Sequence, residues 1–252
     1  MRSIFNYFKK ILSIWNYTIE HKKTWYKRQE NYIAEIKKQD LDFITKISKF
    51  SMCSPANHWA IIQSINHIKS LKLEGDLVEC GVLEGGNLIL YEYLNKKNNL
   101  KKKIYAYDTF EGMSNPSIID KDFKNNSAIK IKKNNSKWCY AALETVKKNI
   151  ISFNQNLNNF IFIKGDVSNT LNDKKNLPKK ISLLRLDTDF YKSTMKELKV
   201  LYPRLVKNGV LIIDDYGHWK GAKKAVDKYF NLKKNFIWFQ RIDYASRLFI
   251  KK

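Results

Sequence analysis

The sequence predicts an α/β fold, a doubly wound and mostly parallel sheet with an N-terminal helical extension, and three observations predict it. Short apolar runs alternate with helical stretches from Gly75 onward, the rhythm of a parallel sheet covered on both faces. The 252 residues are 44% hydrophobic, enough for one sizeable core in a single domain. Acidic residues recur at the ends of successive apolar runs, where open α/β sheets bind their ligands.

Residues 1–50 read as the helical extension and residues 51–252 as the α/β domain. In the extension, Ile4, Phe5, Phe8, Ile11, Leu12, Trp15 and Ile19 fall at helical spacing, with Arg2, Lys9 and Lys10 among the polar positions. This is an amphipathic helix whose stripe can pack on the domain, on a second copy of the chain, or on a membrane surface. Residues 20–50 continue with helical patterning. Ser54-Pro55 then marks a helix start, with Ser at the N-cap and Pro at the first helical position, where its missing N–H costs nothing.

Strand-like runs follow at 77–82, 104–107, 160–163, 181–186 and 210–213. Helices are predicted from Gly86, over 138–150, from Ser193 and from Ala222. Two further runs, 237–241 and 248–250, have no helix between them and predict an antiparallel hairpin at the sheet edge. Residues 114–137, rich in Asn, Lys, Ser and Asp with Pro116, interrupt the rhythm and read as a long loop over the site.

The formal net charge is +23. Lysine is spread over nearly the whole chain beside abundant Asn and Ile, which fits an AT-rich coding sequence as readily as a selected basic surface. Cys53, Cys80 and Cys139 lie far apart with no CxxC or CxxH partner, which argues against a disulfide framework or zinc site. No stretch reaches the roughly 18 apolar residues of a spanning helix, and the N-terminus reads as no secretory leader. The expected location is the cytoplasm, with peripheral contact at the inner membrane face left open by the basic amphipathic helix.

Two motifs carry chemistry. The first is Leu77-Val78-Glu79-Cys80-Gly81-Val82-Leu83-Glu84-Gly85-Gly86, an apolar strand entering a glycine-rich turn and a helix. It matches neither GxGxxG nor GxxxxGK[ST], so a pyrophosphate cradle fits poorly. An acid at the strand end suits a cationic, non-phosphorylated nucleoside better. Asp108, after Tyr105-Ala106-Tyr107, can accept from both ribose hydroxyls, and Asp166, after Lys164-Gly165, can reach an adenine amino group.

The second motif is a pair of pairs. Asp187 and Asp189 follow one apolar run, and Asp214 and Asp215 follow the next. If the runs are neighbouring strands, four carboxylates converge and raise one another's pKa values. A hard cation such as Mg²⁺ resolves that conflict with oxygen ligands, and it acidifies any hydroxyl it holds. Asp187, Asp214 and Asp215 are assigned as metal ligands and Asp189 as the base. The roles of Asp187 and Asp189 can be exchanged, and His218 is a further candidate base.

These residues together resemble the macrocin O-methyltransferase (TylF-like) family of class I S-adenosylmethionine-dependent methyltransferases. The likeness runs from about Ser51 to the C-terminus. It rests on Ser54-Pro55, the Gly75–Gly86 segment, Tyr107-Asp108-Thr109-Phe110-Glu111-Gly112-Met113, Lys164-Gly165-Asp166-Val167, Leu184 through Asp189, Ser193-Thr194, Leu201-Tyr202-Pro203 and Gly209 through Gly217. The resemblance implies a Rossmann-like sheet of seven strands, bound S-adenosylmethionine, and Mg²⁺-dependent methylation of sugar hydroxyls. By position it places Glu79, Gly81, Asp108 and Asp166 at the cofactor. Thr109 and Phe110 would flank its ribose and adenine, with Ser136 as a further contact. It also implies a small-molecule or glycan acceptor and a homo-oligomer assembled through the N-terminal helices. A second reading, an RNA-binding protein or RNA methyltransferase, rests on the basic charge alone, without an aromatic-basic RNA motif or an appended recognition domain.

Overall fold

The computed structural model describes residues 32–252 apart from 233 and 235, so the amphipathic helix expected over residues 4–19 lies outside the described residues. The described chain begins with α1 (Lys38–Ile47). Asp40 in its first turn accepts from Lys97 Nζ at 2.5 Å and Tyr93 Oη at 3.1 Å. Ile44 and Ile47 are fully buried in the same core as the sheet, so this part of the extension packs into the domain. Helix α2 (Pro55–Ser70) starts where Ser54-Pro55 predicts, with Ser54 Oγ accepting from the Asn57 N–H.

The sheet follows: β1 (Asp76–Cys80), β2 (Ile104–Asp108), β3 (Phe160–Lys164), β4 (Ile181–Leu186), β5 (Leu205–Ile213), β6 (Gln240–Arg241) and β7 (Arg247–Ile250). Helices α3 (Gly86–Lys97), α4 (Ala128–Asn134), α5 (Leu143–Ile151), α6 (Val167–Thr170), α7 (Tyr191–Val200) and α8 (Lys220–Tyr229) connect them. The strand order is β3-β2-β1-β4-β5-β7-β6. The first five strands are parallel, and β7 pairs antiparallel with both β5 and β6. The chain moves outward from β1 to β3, then returns to lay β4 on the other side. That reversal makes the β1/β4 boundary the switch point at which such sheets bind ligands.

Register decides where the acids fall. Cys80 sits opposite both Tyr107 and Leu186, and Leu186 opposite Ile213. The next residues, Gly81, Asp108, Asp187 and Asp214, therefore emerge in one row. Strand alternation also puts Glu79 and Arg185 on the same face, directly opposed across β1 and β4. One core layer packs Ile61, Leu90 and Leu183 on that face, and the other packs Val78, Leu184 and Leu198 on the reverse.

The segment 114–137 is more structured than a loop reading allows. It contains α4 and is pinned through buried Asp120, whose carboxylate accepts from the Ser117 N–H, the Ser117 hydroxyl and the Tyr191 N–H at the start of α7. Ala128 on α4 joins Phe190, Trp219 and Ala222 in a small apolar cluster, with Trp138 packed against it. Its polar composition hid this, because much of the fastening falls to buried aspartates, Asp120 and Asp122.

Candidate active site

The row of strand tips opens into a cavity of about 510 Å³, a size suited to a nucleoside-sized ligand. At the β1 tip, Gly81 has φ +83, and a Cβ placed there would lie 1.8 Å from the Asp187 carbonyl oxygen. The Asp187 N–H in turn donates to the Cys80 carbonyl at 2.9 Å. Only glycine permits this approach of the turn to the β4 tip.

Asp108 organises that turn. One carboxylate oxygen accepts from the Val82 and Leu83 N–H groups at 2.7 and 3.3 Å, and the other from the Phe110 N–H at 2.8 Å and Thr109 Oγ1 at 3.4 Å. Burial raises its pKa, and the backbone donors oppose that rise. Its acceptor positions are thus occupied by the chain, so a ribose hydroxyl would have to replace the longest of these contacts. Asp166 caps α6 through the Ser168 N–H at 2.7 Å and also lines the cavity. Glu79, Gly81 and Thr109 line it as well.

Two expected cofactor residues lie elsewhere. Phe110 is absent from the cavity wall because its backbone, at φ +53, turns the ring into the core, where it meets Phe162 edge-on with centroids 6.4 Å apart. Ser136 is exposed and also absent from the wall, although its neighbours Trp138 and Cys139 line the cavity and the Trp138 carbonyl accepts from the Met113 N–H at 3.1 Å.

The aspartate motif comes together. Carboxylate oxygens of Asp187, Asp214 and Asp215 lie within 4.8 Å of one another, an all-oxygen set that suits a hard divalent cation. Burial, then the charges of Asp214 and Asp189, raise Asp187 well above the ordinary carboxylate range against the pull of Arg185; Asp215 is raised by burial and its three aspartate neighbours. Asp189 stands beside the trio in the cavity wall with a left-handed backbone, φ +66, and its N–H donates to Asp215 at 3.2 Å. Burial, opposed by hydrogen bonding to Asp215 and reinforced by the charge of Asp214, pushes it up to about 7.

Sequence reasoning missed the cation beneath these acids. Arg185, 1% exposed, donates to Glu79 at 2.6 Å, Asp187 at 2.6 Å, Asp214 at 2.7 Å and Cys53 Sγ at 3.1 Å. The signal was available: an arginine inside the otherwise apolar 181–186 run needs a buried anionic partner. Glu79 also accepts from Asn87 at 2.9 Å, while its second oxygen is buried without a partner, which leaves an acceptor for a bound cationic group. The C-terminal hairpin contributes too. Ser246 Oγ donates to Asp214 at 3.0 Å, and Asp243 ties Ser54 and Asn57 to the hairpin turn.

Behind the site, fully buried Glu197 accepts from Thr188 Oγ1 at 2.8 Å, and burial pushes it up from 4.5 to about 8. The folded state therefore keeps a proton that the unfolded chain loses, so this stability is complete below pH 4.5 and disappears as pH rises through about 8. Glu197→Gln mimics the neutral acid. Between pH 6 and pH 9 it is expected to lose roughly 3 kcal/mol less stability than the parent, as read by urea unfolding at both values. Parallel pH profiles would rule out a protonated Glu197.

The family model described as macrocin-O-methyltransferase (TylF) matches residues 4–251. The match begins well before Ser51, so the likeness extends through the N-terminal segment that the motifs had left out. The chain is 26% identical over 211 residues to demethyldecarbamoylnovobiocin O-methyltransferase of Streptomyces niveus, covering 83% of this chain and 78% of that one. It is 31% identical over 143 residues to the 8-demethyl-8-(2,3-dimethoxy-alpha-L-rhamnosyl)-tetracenomycin-C 4'-O-methyltransferase of Streptomyces olivaceus, covering 56% of this chain and 53% of that one. Among solved structures, the O-methyltransferase NovP superposes with a TM-score of 0.71 at 24% identity, over 80% of this chain and 82% of NovP, and has the same fold.

Proposed function

The chain belongs to the macrocin O-methyltransferase (TylF) family, and on that premise we propose that it is a Mg²⁺-dependent enzyme methylating a sugar hydroxyl of a glycan or natural product. Family membership carries S-adenosylmethionine-dependent O-methylation. The metal rests on one observation, the convergence of Asp187, Asp214 and Asp215 oxygens within 4.8 Å at adjacent strand tips. The sugar is supported by a relative whose name specifies a rhamnosyl acceptor.

In this reading, Asp187, Asp214 and Asp215 hold the cation, while Glu79, Gly81, Asp108, Thr109 and Asp166 line the donor's end of the cavity. When bound, the donor supplies an electrophilic methyl group and the cation lowers the pKa of a hydroxyl it touches. Asp189 lies outside the close trio, and its carboxylate accepts the acceptor hydroxyl's proton. Arg185 holds Asp187 and Asp214 in place from below. His218, whose Nδ1 lies 2.9 Å from Tyr244 Oη, belongs to the cavity rim rather than the proton path.

The cavity also weighs against the RNA reading. In a chain of net charge +23 it is lined, among the described residues, by eight carboxyl side chains and neither Lys nor Arg, so a phosphate inside it would find no basic side chain on the wall to pair with. Homo-oligomer assembly and membrane contact through the N-terminal segment stay proposals of the sequence, and none of the described helices is long and apolar enough to cross a membrane.

Asp189→Asn tests the assignment of the base. The variant is expected to lower turnover by roughly 10²–10⁴-fold, with Mn²⁺ affinity by calorimetry nearly unchanged. The assay follows gain of one methyl by mass, using S-adenosylmethionine, Mg²⁺ and a panel of deoxysugar glycosides. If Mn²⁺ binding collapses instead, Asp187 and Asp189 exchange roles.

A further inference from the structure

Beyond the aspartates, the outer end of the cavity has a feature that methyl transfer and metal binding leave unused. Phe123 from the 114–137 segment, His218 from the β5–α8 connection and Tyr244 from the β6–β7 hairpin bring their rings together there. The centroids of Phe123 and His218 lie 5.5 Å apart, those of Phe123 and Tyr244 6.0 Å, and those of His218 and Tyr244 5.9 Å. His218 and Tyr244 line the cavity itself.

Short covalent paths hold two of these rings beside the metal ligands. The His218 N–H donates to the Asp215 carbonyl at 3.1 Å. Tyr244 is two residues from Ser246, whose hydroxyl donates to Asp214. Phe123 is held by the bridge between Asp122 and Trp219 and by the Lys220 N–H donating to the Lys121 carbonyl at 2.8 Å. Three separate segments are thus fastened so that their rings meet at one place.

The rings are not there to fill a core. Tyr244 is 55% exposed and Phe123 50%; their rings meet edge to face at 65°, with Lys124 Nζ 5.5 Å from the centre of the Phe123 ring, so apolar ring surface bordered by a cation stands open beside the cavity mouth. Such exposure marks a ligand surface, and flat rings with a polar edge suit a ligand that is apolar on one face and hydroxylated at its rim. A pyranoside has that character: its axial C–H groups make one face apolar, while its hydroxyls project from the edge. Laid on these rings, it would have its edge hydroxyls toward Asp187, Asp214 and Asp215.

We propose that Phe123, His218 and Tyr244 form the platform that receives the acceptor's sugar ring and sets which hydroxyl reaches the aspartates. The platform rests on the sugar-methylating reading above. Its Tyr244 hydroxyl and His218 Nδ1 lock the two rings to each other, so the subsite is built before the acceptor arrives.

Saturation-transfer NMR on the full chain tests this, with S-adenosylhomocysteine and Mg²⁺ present and methyl α-L-rhamnopyranoside as the probe. The parent should pass saturation to the sugar's ring protons. A Phe123→Leu/Tyr244→Leu double variant keeps apolar bulk without rings and should bind at least about fivefold more weakly, while Tyr244→Phe retains most binding. Calorimetry with S-adenosylhomocysteine and Mn²⁺ runs alongside and reports on fold and site integrity in each protein. Equal saturation in the double variant overturns the platform, as does no saturation in the parent when both other ligands bind. If neither of those ligands binds the parent, the methyltransfer reading fails first and the platform falls with it.

Discussion

Replacing Asp214 with asparagine is expected to lower methyl transfer by roughly three orders of magnitude while leaving donor binding and fold in place. Asp214 does two things at once. One carboxylate oxygen accepts from Arg185 at 2.7 Å and Ser246 at 3.0 Å, and the side chain supplies an oxygen to the trio within 4.8 Å. An asparagine oxygen can still accept from Arg185 and Ser246, so the local scaffold survives. What disappears is one negative charge of three at the cation site, and hard cations depend on that charge. Calorimetry should show Mn²⁺ binding at least about tenfold weaker, with S-adenosylhomocysteine affinity within about twofold of the parent, because Glu79 and Asp108 at the donor's end are untouched. Full transfer by the variant, or by the parent in excess chelator, would sink the metal assignment.

The parts of this site that could be read from sequence are those set by strand period and strand ends. Apolar runs ending in Asp187, Asp214 and Asp108 mark strand tips, and register among parallel strands then forces the tips into a row. The same logic gave the helix start at Ser54-Pro55, since an N-cap is a local event. Features that depend on contact between distant segments were hidden. Phe110 follows Asp108 in the motif, yet a left-handed backbone sends its ring into the core, and nothing local announces that turn. Segment 114–137 looks like open loop because one of its anchors, Asp120, is a polar residue that finds Tyr191 seventy-one positions away. Arg185 is the intermediate case: its place in an apolar strand shows that it needs acids, and only the fold says which.

Arg185→Met should be the most damaging single change to stability, by roughly 3–5 kcal/mol. The flexible methionine stem occupies much of the arginine's path, so the loss is electrostatic rather than a cavity. Glu79, Asp187 and Asp214 now share one cation whose guanidinium lies within 2.7 Å of each. Without it, buried Glu79 loses its cation while Asp187 and Asp214 on the cavity wall repel it, and the cost of an unpaired buried charge exceeds that of most single substitutions. Urea unfolding without metal measures the loss directly. Two further measurements separate charge from packing. Excess Mg²⁺ should restore more stability to the variant than to the parent, since a cation bound only by the native state stabilises it by mass action and here takes over the charge of Asp187 and Asp214. Glu79→Gln placed in the Arg185→Met background should recover a further part, because it removes the acid that the metal trio does not include, whereas in the parent the same change strips Arg185 of a partner and destabilises. That opposite sign in the two backgrounds is a coupling between Glu79 and Arg185, and it is the result a pure packing role for Arg185 cannot produce.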